Sequence, residues 1–75
     1  MHYKRARIGT RVRINRDIDQ AAEGTEGVIV EQRGYNRDEG GKIIARFVHV
    51  WSEFTPEGKP SRKNICVSTN CLDEI

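Results

Sequence analysis

The chain has 75 residues, of which 36% are hydrophobic and 32% charged, with a formal net charge of +2. That length makes one domain. Uninterrupted apolar runs of no more than three residues exclude a membrane-spanning helix, which needs about 20, and the basic start "MHYKRARIGTRV" lacks the apolar stretch of a secretory signal. The expected compartment is the cytoplasm.

Residues 10–14, "TRVRI", alternate, with Val12 and Ile14 on one side and Arg11 and Arg13 on the other. This is the pattern of a half-buried strand. Residues 15–25 are polar and rich in turn formers, so they read as a loop, and "DQAAE" within them is too short for a stable helix. Residues 27–33 form the second strand, with Val28 and Val30 expected inward, and "GYNRDEGG" at 34–41 reads as a hairpin tip.

The third strand spans residues 42–51, "KIIARFVHVW", with Ile43, Ala45, Phe47, His49 and Trp51 on one face. Apolar on both sides through most of its length, it is expected to lie inside the sheet and to bend. Residues 52–62 carry both prolines and read as a long surface loop or wide hairpin end. "KNICV" at 63–67 is the fourth strand; "STNCLDEI" opens with capping residues and predicts a short helical turn running into a last extended piece. Short strands separated by turns argue an all-β, small antiparallel barrel. The expected core is Val12, Ile14, Val28, Val30, Ile43, Ala45, Phe47 and Leu72.

The glycines of "EGTEGVIVE" (23–31) fit that architecture. Gly24 is expected to supply a turn and Gly27 the start of the second strand at a corner, where a side chain is poorly tolerated. Together with "GTRVRI" (9–14) and the intervening loop, this stretch resembles the KOW motif, which opens SH3-like barrels. The order "IGTRVRI…EGTEGVIVE…KIIARFVHV…TNCLDEI" is also similar to the small E subunits of photosystem I, with longer loops here at 34–41 and 52–62. Both resemblances imply a five-stranded antiparallel SH3-like barrel. The first implies nucleic-acid or ribonucleoprotein binding. The second implies docking of a protein partner, as that subunit docks its electron carriers.

No catalytic constellation is visible. Ser52, Ser61 and Ser68 lack a nucleophile-elbow setting. His49 reads as a partly buried structural histidine, and the adjacent Asp73 and Glu74 point to opposite faces of an extended chain. No lysine follows the glycines in P-loop spacing. Cys66 and Cys71 stand as C-x4-C, the wrong spacing for a zinc or redox pair, and are expected to be buried or half-buried thiols without metal or disulfide. An enzyme is therefore not expected, nor is a cofactor.

Charge is segregated along the chain. Residues 1–16 hold Lys4, Arg5, Arg7, Arg11, Arg13 and Arg16 without an acid, whereas residues 17–31 hold Asp17, Asp19, Glu23, Glu26 and Glu31 without a base. Either an oriented partner or cross-strand pairing of opposite charges accounts for this. The candidate binding residues are Lys4, Arg5, Arg7, Arg11 and Arg13, then Arg37, Arg46, Arg62 and Lys63, with Tyr35, Trp51 and Phe54 as aromatic platforms. Arg33 and Lys59 add charge. Guanidinium groups match phosphate and exposed rings stack on bases, at about 1–3 kcal/mol per base. Trp51 and Phe54 have an alternative role in capping the open end of the barrel. The partner is thus a nucleic acid or a protein complex. The acidic segment favours the protein, since it would repel phosphate if it lay beside the basic stripe; the KOW resemblance favours the nucleic acid, which is the leading expectation, with protein docking as the alternative.

Overall fold

The computed structural model describes residues 1–75 and is all-β. Five strands follow in chain order: β1 (Arg11–Ile14), β2 (Glu26–Arg37), β3 (Ile43–Phe54), β4 (Pro60–Ser68) and β5 (Leu72–Glu74). Single 3-10 turns stand at Tyr3–Arg5 and Thr69–Cys71. The strands make one antiparallel sheet in the order β4-β3-β2-β1-β5. β4 and β5 lie on opposite edges yet are joined by only Thr69–Cys71. A link that short spans roughly 14 Å at full stretch, so the sheet curls until its edges approach at that end. The two edges are not hydrogen-bonded to each other, and the sheet stays open.

The C-terminal helical turn is where the capping residues place it. The Ser68 side chain accepts from the Asn70 N–H, and β5 follows directly. At the other end, the basic lead-in is not an extension of β1. Tyr3–Arg5 coil into a turn capped by His2, and the Gln32 side chain holds this segment by donating to the Ala6 carbonyl at 3.0 Å.

The hairpins are longer than their turn-rich composition predicts. The β2–β3 ladder runs on to the Arg37–Ile43 pair, leaving a tip in which Asp38 Oδ1 accepts from the N–H groups of Gly40 and Lys42. Likewise β3 continues through Ser52, Glu53 and Phe54, and the wide loop shrinks to a turn closed by Thr55 and Lys59. Pro60 begins β4, a position that asks for no N–H from it. Cross-strand pairing overrides the weak strand propensity of residues such as Gly34, Asn36 and Asn64.

The core is Ala6, Val12, Ile14, Ile29, Val48, Val50, Ile65, Val67 and Leu72, with Ala45 also fully buried. Val12, Ile14, Ala45 and Leu72 are where the alternation puts them. Val28 and Val30 are not: Ile29 faces inward, Val28 is half-buried, and Val30 is 43% exposed. Gly27 sets this phase, because it is itself the inward residue at the point where β2 crosses Trp51, so Ile29 is the next to point in.

β3 departs from strict alternation as well. Its buried positions are Ala45, Val48, Val50 and Ser52, so the expected face is right at Ala45 and wrong from there on. Phe47 is 39% exposed and Ile43 only half-buried. The register against β2 shifts between Gln32 and Tyr35. Near there β3 also leaves β4 for the C-terminal turn, whose Thr69 hydroxyl accepts the Arg46 N–H. A strand that changes neighbours changes which face is inside.

Candidate nucleic-acid interface

The basic residues fall into two groups at different places on the sheet. The first gathers around Tyr35. This residue lies in β2 directly opposite Arg46 of β3, and the register irregularity at Arg33 and Gly34 leaves the Tyr35 side chain exposed. The Arg46 guanidinium lies 4.6 Å from the centre of the Tyr35 ring. Its Nη1 donates to the Tyr35 hydroxyl at 3.2 Å, and its Nε donates to the Arg33 carbonyl at 2.9 Å. The cation is therefore held in place beside the ring, with N–H donors left over.

The N-terminal turn completes this group. The Tyr3 ring meets Tyr35 edge-on at 6.0 Å between centroids. Tyr3, Lys4, Arg7, Gln32, Tyr35, Ile43 and Arg46 line an open groove of about 510 Å³. Three of these residues are cationic and none is acidic. Lys4 and Arg7 also line an adjoining polar hollow with Arg5, Thr10 and Glu74, so the positive surface continues along the same segment.

The second group lies around Trp51 on the outer face of the sheet. Arg11, Val28, Trp51 and Asn64 are successive cross-strand neighbours, and Arg13, Glu26, Phe54 and Pro60 form the next row. Trp51 is 41% exposed and Phe54 42%, so neither closes the end of the core. Arg62 stands beside them and shares a shallow hollow with Trp51, Glu53, Phe54 and Pro60. It has φ 55°, the one non-glycine residue with positive φ in the chain, at an irregularity in the β3–β4 ladder. The arginines of β1 do face solvent, but each has an acidic neighbour: Arg11 lies 3.8 Å from Glu53, and Arg13 lies 3.5 Å from Glu26. The segregation of charge in the sequence is thus resolved in part by cross-strand pairing.

The remaining candidates stand apart from both groups. Arg37 donates to the Gly41 carbonyl and secures the hairpin tip. Lys63 is exposed on the edge strand β4, opposite Ser52. His49 is half-buried, with its Nδ1 3.3 Å from the Asn64 amide and 3.7 Å from Glu31. Cys71 is half-buried, but Cys66 is exposed, contrary to the expectation that both thiols are at least partly buried. Cys66 sits opposite His49, on the outer face of a strand whose inward residues are Ile65 and Val67.

Of the predicted binding residues, the fold unites Lys4, Arg7, Tyr35 and Arg46 in one groove, with Arg5 next to it. It sends Arg11, Arg13, Trp51, Phe54 and Arg62 to the separate group around Trp51. Tyr3 and Gln32 belong to the groove without having been singled out. Tyr3 carried a signal, an aromatic residue inside the basic run "HYKRAR", whereas Gln32 carried none. Compared with protein families, curated proteins and solved structures, the chain matches none. The fold is compatible with an SH3-like barrel, and neither the KOW motif nor the photosystem subunit gains support from relatives.

Proposed function

We propose that this protein is a non-catalytic binding module for single-stranded nucleic acid, alone or in a ribonucleoprotein. The observation that carries the reading is the groove in which the Tyr35 ring and the Arg46 guanidinium lie together, flanked by Tyr3, Lys4 and Arg7, with no carboxylate in its lining. A base stacks on an exposed tyrosine while its phosphates meet the surrounding cations, a combination that tolerates any sequence. The resemblance of residues 9–31 to a KOW motif points the same way.

The test is a salt titration of a labelled single strand and a labelled duplex. Single-strand binding weakens with salt, with a slope of about −0.7 per neutralised phosphate. The double variant Lys4→Glu, Arg7→Glu lowers that slope by roughly two contacts, and Tyr35→Ala weakens binding by about 1–3 kcal/mol at every salt concentration. No binding at low salt, or variants that bind like the parent, overturns the reading.

A second reading, a docking module for a protein partner, is favoured by the outer face. There Trp51 and Phe54 are exposed among charges of both signs, Arg11 with Glu53 and Arg13 with Glu26. A mixed rim around exposed aromatic rings suits a protein surface better than a polyanion. Capture of a protein partner from nuclease-treated extract, together with negligible oligonucleotide binding, selects this reading.

A further inference from the structure

β4 is an edge strand with no strand paired to its outer side. From Pro60 to Ser68 it pairs with β3 alone, and no other backbone hydrogen bond joins residues 60–67 to the rest of the chain. Alternate N–H and C=O groups along it are therefore left to solvent, the usual template for an added strand. Proteins blunt such edges with proline, bulges and twist. Here those devices stand at one end only, in Pro60 and in the irregularity that holds Arg62 at positive φ. From Lys63 to Ser68 the ladder with β3 runs without a break.

The two ends of this edge differ in chemistry. Beside its C-terminal end lies an open cavity of about 230 Å³, with Phe47, Ile18, Cys66, Val67 and Cys71 in its wall and Asp19 among its polar residues. This is where the exposure of Phe47 has its consequence. Around its N-terminal end stand Lys59, Arg62 and Lys63; residues 59–68 hold no carboxylate, and Glu53, which shares the hollow of Arg62, lies 3.8 Å from Arg11.

We propose that β4 accepts an extended acidic segment of a partner protein as a sixth strand. Main-chain hydrogen bonds to the open edge supply affinity. An apolar side chain in the Phe47 cavity and carboxylates against Arg62 and Lys63 supply specificity and direction. Cys66 and Arg62 are four residues apart, about 13 Å along a strand, so the apolar and acidic positions of the segment are separated by about the same number of residues. Asp19 repels an acid at the cavity end and fixes the polarity of the arrangement. A second copy of this chain is the poorer occupant on charge: its own residues 59–68 hold no carboxylate, and an antiparallel pairing would bring only Asp19 toward Arg62 and Lys63. The inference is independent of the Tyr35 groove, which lies on other residues.

The experiment titrates the whole chain against fluorescein-labelled acetyl-TLTVTETE-amide, followed by fluorescence anisotropy, with amide hydrogen exchange on the same complex. Saturable binding is expected, with slowed exchange confined to β4. The same peptide N-methylated at alternate residues loses binding. The Arg62→Glu, Lys63→Glu variant, with its circular dichroism unchanged, loses about tenfold in affinity. The proposal is overturned by an absence of binding up to millimolar peptide, by equal binding of the N-methylated peptide or of acetyl-TLTVTKTK-amide, or by protection lying outside β4. It is also overturned if sedimentation shows that the chain alone dimerises through a protected β4, or if a single-stranded oligonucleotide displaces the peptide.

Discussion

Gly27 faces the backbone carbonyl of Trp51 with no room for a side chain between them. A Cβ there would collide with that oxygen and lie 2.8 Å from a methyl group of Val50. Neither obstacle yields easily, because the oxygen is backbone of the paired strand and the methyl belongs to the core. Gly27 is thus required by a close approach, and its φ is not positive. Gly24, three residues earlier, is a different case, since its φ of 94° is a turn conformation that side chains rarely adopt.

Gly27→Ala is expected to destabilise by about 1–3 kcal/mol or more, the usual cost of forcing a methyl into a packed site. Gly34→Ala is its control. There a Cβ meets nothing within 4 Å and φ is not positive, so that variant is expected to be neutral or more stable by about 0.4–1 kcal/mol. Urea denaturation of the pair decides; equal midpoints refute the close approach.

The phase of β2 is testable in adjacent residues. Ile29 is fully buried and Val30 is 43% exposed. Ile29→Ala should cost about 2–5 kcal/mol and Val30→Ala well under half of that. Val48→Ala against Phe47→Ala makes the same comparison in β3, and the larger aromatic truncation should be the milder one. If Val30→Ala and Phe47→Ala prove the severe members in thermal melts, the inward faces described above are wrong.

Ser52 is completely buried and its hydroxyl has no hydrogen-bond partner. A buried polar group left unpaired costs about 1–3 kcal/mol. Ser52→Ala removes that group with little change in volume, so the variant is expected to be more stable by about 1 kcal/mol. A lower melting temperature would show that the hydroxyl is satisfied in solution.

Arg62 occupies a left-handed backbone conformation, which costs an ordinary residue roughly 1–2 kcal/mol. Arg62→Gly relieves the strain and loses part of the gain to the greater freedom of glycine when unfolded. A net gain of about 1 kcal/mol or less in denaturant is expected, alongside weaker binding of the acidic peptide. A variant of unchanged stability would argue that the backbone at this position is not strained.

The two arginines of β1 should matter little to folding. Both pairs, Arg11 with Glu53 and Arg13 with Glu26, are solvent-exposed, and such pairs contribute about 0–1 kcal/mol each. The double variant Arg11→Ala, Arg13→Ala is expected to melt within a few degrees of the parent and to bind single strands with a nearly unchanged salt slope, because the groove of Lys4, Arg7 and Arg46 lies elsewhere. A slope reduced by two contacts would move the nucleic-acid site to β1.

By itself the sequence determined the all-β class, the succession of strands along the chain, the turn glycine, the glycine at the start of β2 that leaves no room for a side chain, the outward arginines of β1 and the capped turn before β5. Each is a local matter: alternation over a few residues, a capping side chain, or a residue without a Cβ. It could not determine the inward faces of β2 and β3, because "VIV" and "FVHVW" are apolar on both sides and either phase satisfies the pattern. The tertiary structure decided these through the contact of Gly27 with Trp51 and through the switch of β3 from β4 to the Thr69 turn. Pairing likewise extended the hairpins through residues that read as loop, because a partner strand supplies hydrogen bonds that local propensity does not foresee. Only the fold could separate the basic residues into a groove around Tyr35 and a face around Trp51. Lys4 and Arg7 are far in the chain from Tyr35 and Arg46, and what unites them is the register between β2 and β3 together with the Gln32 bond that holds the N-terminal turn against the sheet.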